Sequence, residues 1–408
     1  MASSEYRVSP NLNGWFKEQY ADKLEQAVPT KQFRVQKMVP FRKQMKPVGN
    51  KYHQPVMLQW PQGVTYANAS SGAFALRPVS AGSTFDAQIL ASQMVVRDAI
   101  DYESISLAQS SKQAFGKVTS LVVDAMMNSL RKRLEVDYLY GVLGNATVAS
   151  VASLVITITT AEWAAGIWAG AVGTAIDVWN SALTVFRGTA NITATSNVNK
   201  TITVDAVPSG TTANDVIFYA GAKGNQMLGI HKVLQGATTI FNINASTQDL
   251  WQAPSVAAGS VALSFPIIQK LIGLLVEKGV ENDLTLLVNH KAWSNLMTTE
   301  ASLREYDYSY NSAKAERGAE DILFHEQNGI TKIIAHPYVK EGYSFCLTED
   351  DWLRIGSTDI SFDLPGNEGA FFRPLENNAG FELRAYSNQA GFSKMPGRSG
   401  LITGITNA

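Results

Sequence analysis

The sequence predicts an α+β protein, and three stretches carry that reading. One is a long amphipathic helix over about 110–143. The second is a β-branched region rich in Thr and Asn, over about 174–264. The third is the C-terminal stretch from Gly329 on, which reads as strands.

The helix is SSKQAFGKVTSLVVDAMMNSLRKRLEVDYLYGVL, Ser110 to Leu143. Gln113, Lys117, Ser120, Asp124, Asn128, Arg131 and Glu135 recur every three or four residues, which puts them on one polar stripe. Phe115, Val118, Val122, Ala125, Met126 and Leu130 fill the other side and should lie on a sheet. Ser110 with Gln113 fits a capping box. Arg131, Lys132 and Arg133 lie toward the C-terminal end, where the helix dipole favours cations. Gly141 and Gly144 supply the stop. At about 1.5 Å per residue the helix is roughly 45 Å long.

Residues 1–51 read as a polar arm, with Asn13 to Glu25 fit for a short helix. From Lys31 to Lys51 there are seven basic residues and no acidic one: Lys31, Arg34, Lys37, Arg42, Lys43, Lys46 and Lys51. Such a block is either a solvated tail or an arm laid on an acidic neighbour or nucleic acid. Residues 52–84 read as an extended hairpin. YHQPVMLQWP and AFALRPVS are its extended runs, with the turn-rich GVTYANASSG between them. Pro55, Pro61 and Pro78 argue against a central sheet position. A two-stranded arm is marginal alone and needs a surface to lie on. Phe85–Ile100 reads as a strand leading into the helix.

After Gly144, residues 145–160 are β-branched and nearly uncharged. Thr159 with Glu162 fits a second capping box, opening a short helix through Trp168. NITATSNVNKTITVD reads as a hairpin turning around Asn197–Lys200, and VIFYAG and TTIFNIN as further strands. Pro266–Gly279 is an amphipathic helix with proline at its start and glycine at its end. DLTLLVNHKAWSNL runs from strand to helix, Tyr306–Gly318 is loop-like, and the rest alternates as strands.

Motifs of catalysis are missing. His53, His231, His290, His325 and His336 show no metal-ligand spacing. His325-Glu326 reads as a surface pair, and Cys346 in YSFCL as a buried structural cysteine rather than a nucleophile. GAKGNQMLG lacks the GK[ST] ending of a phosphate loop, and GxSxG does not occur. Glu349-Asp350-Asp351 reads as a solvated turn rather than a cation loop. The expectation is no enzyme, with no catalytic, cofactor-binding or metal residues to name. An enzyme with a scattered site is the competing reading.

The totals agree. The chain has 408 residues, 45% hydrophobic and 17% charged, with a formal net charge of -1. That length suits two or three domains. The near-neutral charge gives no overall signature for nucleic acid or membrane. A single cysteine rules out an intrachain disulfide. No apolar run reaches the roughly 18 residues of a membrane span, and MASSEYRVSPNLNGWFKEQY has no signal-peptide core. A reducing compartment is the expectation.

The order of these parts resembles the major capsid proteins of tailed bacteriophages, the tailed-phage/herpesvirus-type capsid fold. A basic arm precedes an extended hairpin, then a strand and a long helix ending in LEVDYLYG, then a mixed domain with late strands that pair back. The texture matches in AQILASQMVVRDAIDYESISLAQSS and in AHPYV, GYSF, LRIGSTDISFDLPG and FELRAYSNQAGFSKMPGRSGLITGI. The resemblance implies an N-terminal arm (1–51) and an extended loop (52–84). It implies a peripheral domain (85–148 and 345–408) with a spine helix at about 110–143, and an axial domain (149–344) carrying the β-rich insertion at about 174–264.

It also implies a structural protein that self-assembles as pentamers and hexamers into an icosahedral shell around double-stranded DNA, without sequence-specific binding. Only about fifty residues precede the extended loop, so a separate scaffolding protein is expected, with a portal and a decoration protein as further partners. No membrane partner and no cofactor are implied. The expected place is the virion capsid, assembled in the host cytoplasm. The competing readings are a cellular, encapsulin-like shell of the same fold and a β-rich tail or adhesin protein.

Overall fold

The structure, a computed structural model, describes residues 33–43, 51–70, 72–103, 112–236, 238–303, 322–326, 329–363 and 372–407. The expected helix at Asn13–Glu25 and the loop at Tyr306–Gly318 lie outside the described residues.

The described chain begins by docking on itself. A helical turn, Arg34–Met38, leads into strand β1 (Phe41–Lys43). Phe33, Val35 and Val39 are buried in the main core, so this part of the arm is not a solvated tail. Apolar residues between the basic ones fix it, while Arg42 and Lys43 remain exposed. Next come β2 (Lys51–Met57) and β3 (Thr84–Leu90), antiparallel partners in register Lys51↔Leu90 to Met57↔Thr84. The described residues between them, 58–70 and 72–83, form no strand. The hairpin partner is therefore Thr84–Leu90, not AFALRPVS as the sequence suggests. After Ala91 the chain enters β4 (Ser92–Asp101), which belongs to another sheet. Phe85–Ile100 is thus two strands, because β3 and β4 find different partners.

The long helix spans Lys112–Tyr140. Ser110 lies outside the described residues, as do the side chains of Gln113, Phe115, Lys117, Val118 and Ser120. Val122, Met126, Leu130 and Leu134 are buried at every fourth position, while Asp124 is exposed. The helix stripe packs on β4 and on β20 (Gly380–Ser393). The polar-stripe reading fails at Glu135. From Leu134 to Tyr140 the helix is buried on all sides. Arg131–Arg133 also lie well before the last turn, which holds no basic residue. The chain leaves the helix through Val142 and Gly144, both at positive φ.

The β-rich region is a closed barrel, and it starts earlier than the sequence suggests. Its strands are β5 (Ala146–Ala152), β6 (Val155–Ile158), β7 (Ala175–Trp179), β8 (Phe186–Ser196), β9 (Thr201–Val204) and β10 (Val216–Tyr219). They close in the order β10-β5-β6-β9-β8-β7. Ile156 and Ile158, Ile176 and Val178, Ala190 and Ile192, and Ile202 and Val204 are buried, the period-2 inward face of each strand. Closure leaves no sheet edge. The β8–β9 hairpin turns at residues 197–200, as expected, with Lys200 at positive φ.

The short helix Ile230–Leu234 and the small hairpin β11 (Thr239–Ile240) and β12 (Ile243–Asn244) follow. A six-stranded sheet then takes β13 (Ser255–Val261), β14 (Leu284–Val288), β15 (Ile322–His325), β16 (Ile330–Ala335), β17 (Ser344–Leu347) and β21 (Gly400–Ile405), ordered β13-β21-β17-β14-β16-β15. Helices Phe265–Glu277 and His290–Leu303 accompany it over a second core. The remaining strands, β18 (Trp352–Ser361) and β19 (Arg373–Pro374), join β1, β4 and β20 in a five-stranded sheet. The C-terminal segment 345–408 therefore serves two sheets. β18 and β20 support the long helix, whereas β17 and β21 pair with the strands of the other core.

Candidate functional site

The elements meet at one buried polar junction, built on the helix and on residues 336–342, HPYVKEG. Glu135 lies at its centre and is fully buried. Its Oε1 accepts the Val35 N–H at 2.8 Å, and its Oε2 accepts the Gln36 N–H at 3.3 Å. These are free donors at the start of the Arg34–Met38 turn, so a carboxylate a hundred residues away does the work of a cap. His336, also fully buried, follows β16. Its Nδ1 accepts the Tyr338 N–H at 3.1 Å, which leaves the ring hydrogen on Nε2, and Nε2–H donates to Glu135 Oε1 at 2.8 Å. One side chain thus ties the arm, the helix and the six-stranded sheet together.

Lys340, 2% exposed, makes the second node. Its Nζ donates to Glu162 Oε2 at 2.5 Å and to the Gly144 carbonyl at 3.2 Å, and it lies 4.2 Å from the Tyr140 ring centre. Its backbone N–H donates to Tyr140 Oη at 2.7 Å, and Tyr343 Oη–H donates to Glu162 Oε1 at 2.7 Å. Burial works against the Glu162 carboxylate, but the Lys340 ammonium outweighs it and holds the group below the ordinary carboxylate range. Burial pushes the Tyr140 hydroxyl well up. His231, buried against the Tyr343, Phe345 and Tyr140 rings, has no hydrogen-bond partner on either ring nitrogen. Burial, then the nearby Lys340 charge, pull it down to about 3. Next in sequence, Glu341 accepts from Lys200 of the barrel at 2.7 Å and pairs with Lys291 at 3.1 Å.

A third node lies where the arm meets the five-stranded sheet. Arg354 donates from Nε to the Val39 carbonyl at 2.8 Å, and from Nη1 to Asp359 Oδ1 at 2.8 Å and Gln389 Oε1 at 3.2 Å. Tyr138 of the long helix donates to the same Gln389 oxygen at 2.9 Å.

The outward features differ in kind. Loop 58–83 exposes Trp60 at 76%, Tyr66 at 89%, Leu76 at 78% and Val79 at 94%. Among the described residues nothing covers so much apolar surface on one arm.

The residues singled out in the sequence scatter. His53 bonds Asp86 at the exposed hairpin, and Cys346 is buried in β17. Burial raises the Cys346 thiol far above its usual range. Glu326 accepts from Thr331 at 2.5 Å, and Glu349 from Thr285 at 2.5 Å. Asp351 is 9% exposed and so is not solvated as expected. Glu162 makes no cap hydrogen bond through Thr159, because Lys340 takes it instead. Among the described residues no group of three or more His, Cys, Asp and Glu is placed to hold a metal ion. No described helix is long and apolar enough to cross a membrane.

No protein-family model matches the chain, and no curated protein matches its sequence. Solved structures do match. A chain of the cyanophage A-1(L) capsid asymmetric unit aligns at a TM-score of 0.56 with 11% identity, covering 98% of this chain and 100% of its own. A chain of the capsid of a native GTA particle aligns at 0.53 with 7% identity, covering 98% of each. The fold is therefore α+β and shared over its whole length with phage-capsid chains.

Proposed function

We propose that this chain is a structural shell subunit, a major capsid protein of tailed-phage type. It self-assembles as pentamers and hexamers into an icosahedral shell that encloses double-stranded DNA. The observation that carries the reading is the loop between β2 and β3, which exposes Trp60, Tyr66, Leu76 and Val79 with nothing among the described residues to cover them. In this reading the long helix and the five-stranded sheet are the peripheral unit, the six-stranded sheet is the axial unit, and the barrel is an insertion. The protein works without a catalytic residue or cofactor, as part of a virion capsid assembled in the host cytoplasm. A separate scaffolding protein, a portal and a decoration protein complete the particle.

The test is electron microscopy of the purified chain, expressed with and without residues 60–81 replaced by a short Gly-Ser link. Closed icosahedral shells from the intact chain and soluble subunits from the deletion support the proposal. Normal shells from the deletion variant remove the loop as a lattice element. Particles holding a protein cargo and no DNA move the reading to a cellular shell.

A further inference from the structure

The docked arm, residues 33–43, has two faces. Phe33, Val35 and Val39 are buried in the main core. Arg34, Lys37, Arg42 and Lys43 are exposed on the other side. Arg34 and Lys37 lie three residues apart on the helical turn, which makes them surface neighbours. Among the described strands β1 pairs only with β18, so Arg42 and Lys43 sit on an open edge of the five-stranded sheet.

These four charges have nothing to balance them. Residues 33–43 contain no acidic residue. The carboxylates that reach the arm and its sheet are already engaged. Glu135 serves the Val35 and Gln36 N–H groups and His336, and Asp359 serves Arg354 at 2.8 Å. Among the described residues none of the four side chains makes an ion pair or hydrogen bond. The whole chain carries a formal charge of only -1, so this is a local asymmetry rather than a general trend. The arm is also fixed in place through Glu135, so presenting the four charges costs little further ordering.

The composition of the face selects the partner. A protein interface needs an apolar centre and is depleted of lysine. Apart from the four basic residues, the arm's one fully exposed residue is Pro40, while Met38 and Phe41 are partly buried. It therefore lacks an anchor for a protein, and no fully exposed ring is present for a base to stack on. Phosphate contacts need only Lys and Arg. We propose that the outward face of the docked arm, Arg34, Lys37, Arg42 and Lys43, contacts the phosphate backbone of double-stranded DNA without regard to sequence. It then marks the side of the subunit that faces the lumen. The inference rests on the reading of the chain as a shell subunit around DNA, and it names the surface that meets the DNA. Four contacts keep the grip weak and salt-sensitive, as a container that must release its contents requires.

The test titrates full-length, unassembled subunits with fluorescent duplexes of two unrelated sequences, read by anisotropy. Four phosphate contacts predict a slope of about -3.6 in log affinity against log salt, an affinity loss of about 150-fold between 50 and 200 mM, equal for both sequences. Arg42→Gln with Lys43→Gln should melt as the wild type does and bring the slope to about -1.8. Arg77→Gln with Arg97→Gln, exposed elsewhere, should leave the slope unchanged. Cys346 is the chain's one cysteine and is buried, so Lys43→Cys can be labelled selectively with a photoreactive azide before assembly. In DNA-filled particles illumination should link that label to DNA. A label that links only to protein overturns the inference and gives the face to an acidic protein partner. So does an arm variant that binds duplex with the wild-type slope. Shells that exclude DNA, with the predicted slopes intact, overturn the reading of the particle and leave the phosphate surface supported.

Discussion

Glu135→Gln tests the central junction. Two of the three donors on this carboxylate meet Oε1, and the Gln36 N–H meets Oε2. The amide keeps an acceptor at one position and places an NH₂ at the other. With oxygen left at the Oε1 position, the Gln36 N–H faces another donor, and the two remaining bonds lose their charge. Hydrogen bonds to a charged partner contribute about 1.5–3 kcal/mol net, against about 1 for neutral ones. One bond lost and two weakened come to about 2–4 kcal/mol. Glu135→Leu leaves all three buried donors without acceptors, at about 1–3 kcal/mol each, so it should cost more. The assay is urea unfolding of the soluble subunit, run beside limited trypsin digestion. Arg34 and Lys37 flank buried Val35, so release of the arm exposes two cleavage sites. Cleavage there should accelerate at least tenfold in Glu135→Gln while the long helix stays protected. Unchanged cleavage, with a stability change under about 0.5 kcal/mol, would refute the idea that Glu135 holds the arm.

Three further outcomes follow from the same packing. Lys340→Met strands the Glu162 carboxylate against the Tyr140–Tyr343 cluster and should cost about 3–5 kcal/mol in thermal unfolding, with Glu162→Gln on the same background recovering part of it. Asp137, 4% exposed, has its carboxyl raised to about 7 by burial, against the Gln226 hydrogen bond and the Arg133 charge that pull it down. The folded state thus keeps a proton that the unfolded chain has released, so stability should fall as pH rises from about 4 to about 7 and then level off. Asp137→Asn should flatten that slope in urea titrations at pH 5 and pH 8, and an unchanged slope would discard the assignment. Trp60→Ser should leave the subunit's melting within about 0.5 kcal/mol, since the side chain is exposed, yet raise the concentration needed for assembly, measured by light scattering. Assembly at the wild-type concentration would show that Trp60 is not buried between copies.

Much of the fold was legible, and the misses share a cause. The Val122, Met126 and Leu130 face and the exposed Asp124 follow from helical periodicity, because a helix on a sheet must bury one side. The start and stop of helix Phe265–Glu277 came from Pro266 and Gly279, which act locally. Glu135 was misread because periodicity cannot tell a solvated carboxylate from one buried among three donors. Those donors arrive from residues 35, 36 and 336, far away in the chain. The barrel's early start was missed for a related reason. Ala146–Ala152 closes on Val216 and Ile217, a pairing that no local window contains. The hairpin partner was misplaced because AFALRPVS alternates as well as TFDAQIL does. Pairing within the subunit, not propensity, chooses between them. HPYVKEG carries no chemical motif. Its one legible signal is a polar His-Lys-Glu set directly after an apolar strand, which is where buried polar connections between elements often lie.

The two kinds of surface have opposite physics, which makes subunit folding and assembly separable. At the junction, buried charges are each matched. Glu135 has three donors, Lys340 has a carboxylate and a carbonyl, and Arg354 has its three acceptors, on two side chains and one backbone group, only when the Val39 carbonyl is in place. Removing one partner leaves the others stranded in a low-dielectric interior, so the damage stays within the subunit. Loop 58–83 and β4 hold the reverse, apolar side chains left open to water. Changing their exposed side chains, such as Trp60, Tyr66 and Val95, costs the free subunit little, because these side chains are outside its described core. Each such contact need be only modest. A closed shell repeats it at every subunit, and cooperative closure converts small per-contact differences into large differences in the concentration at which shells form.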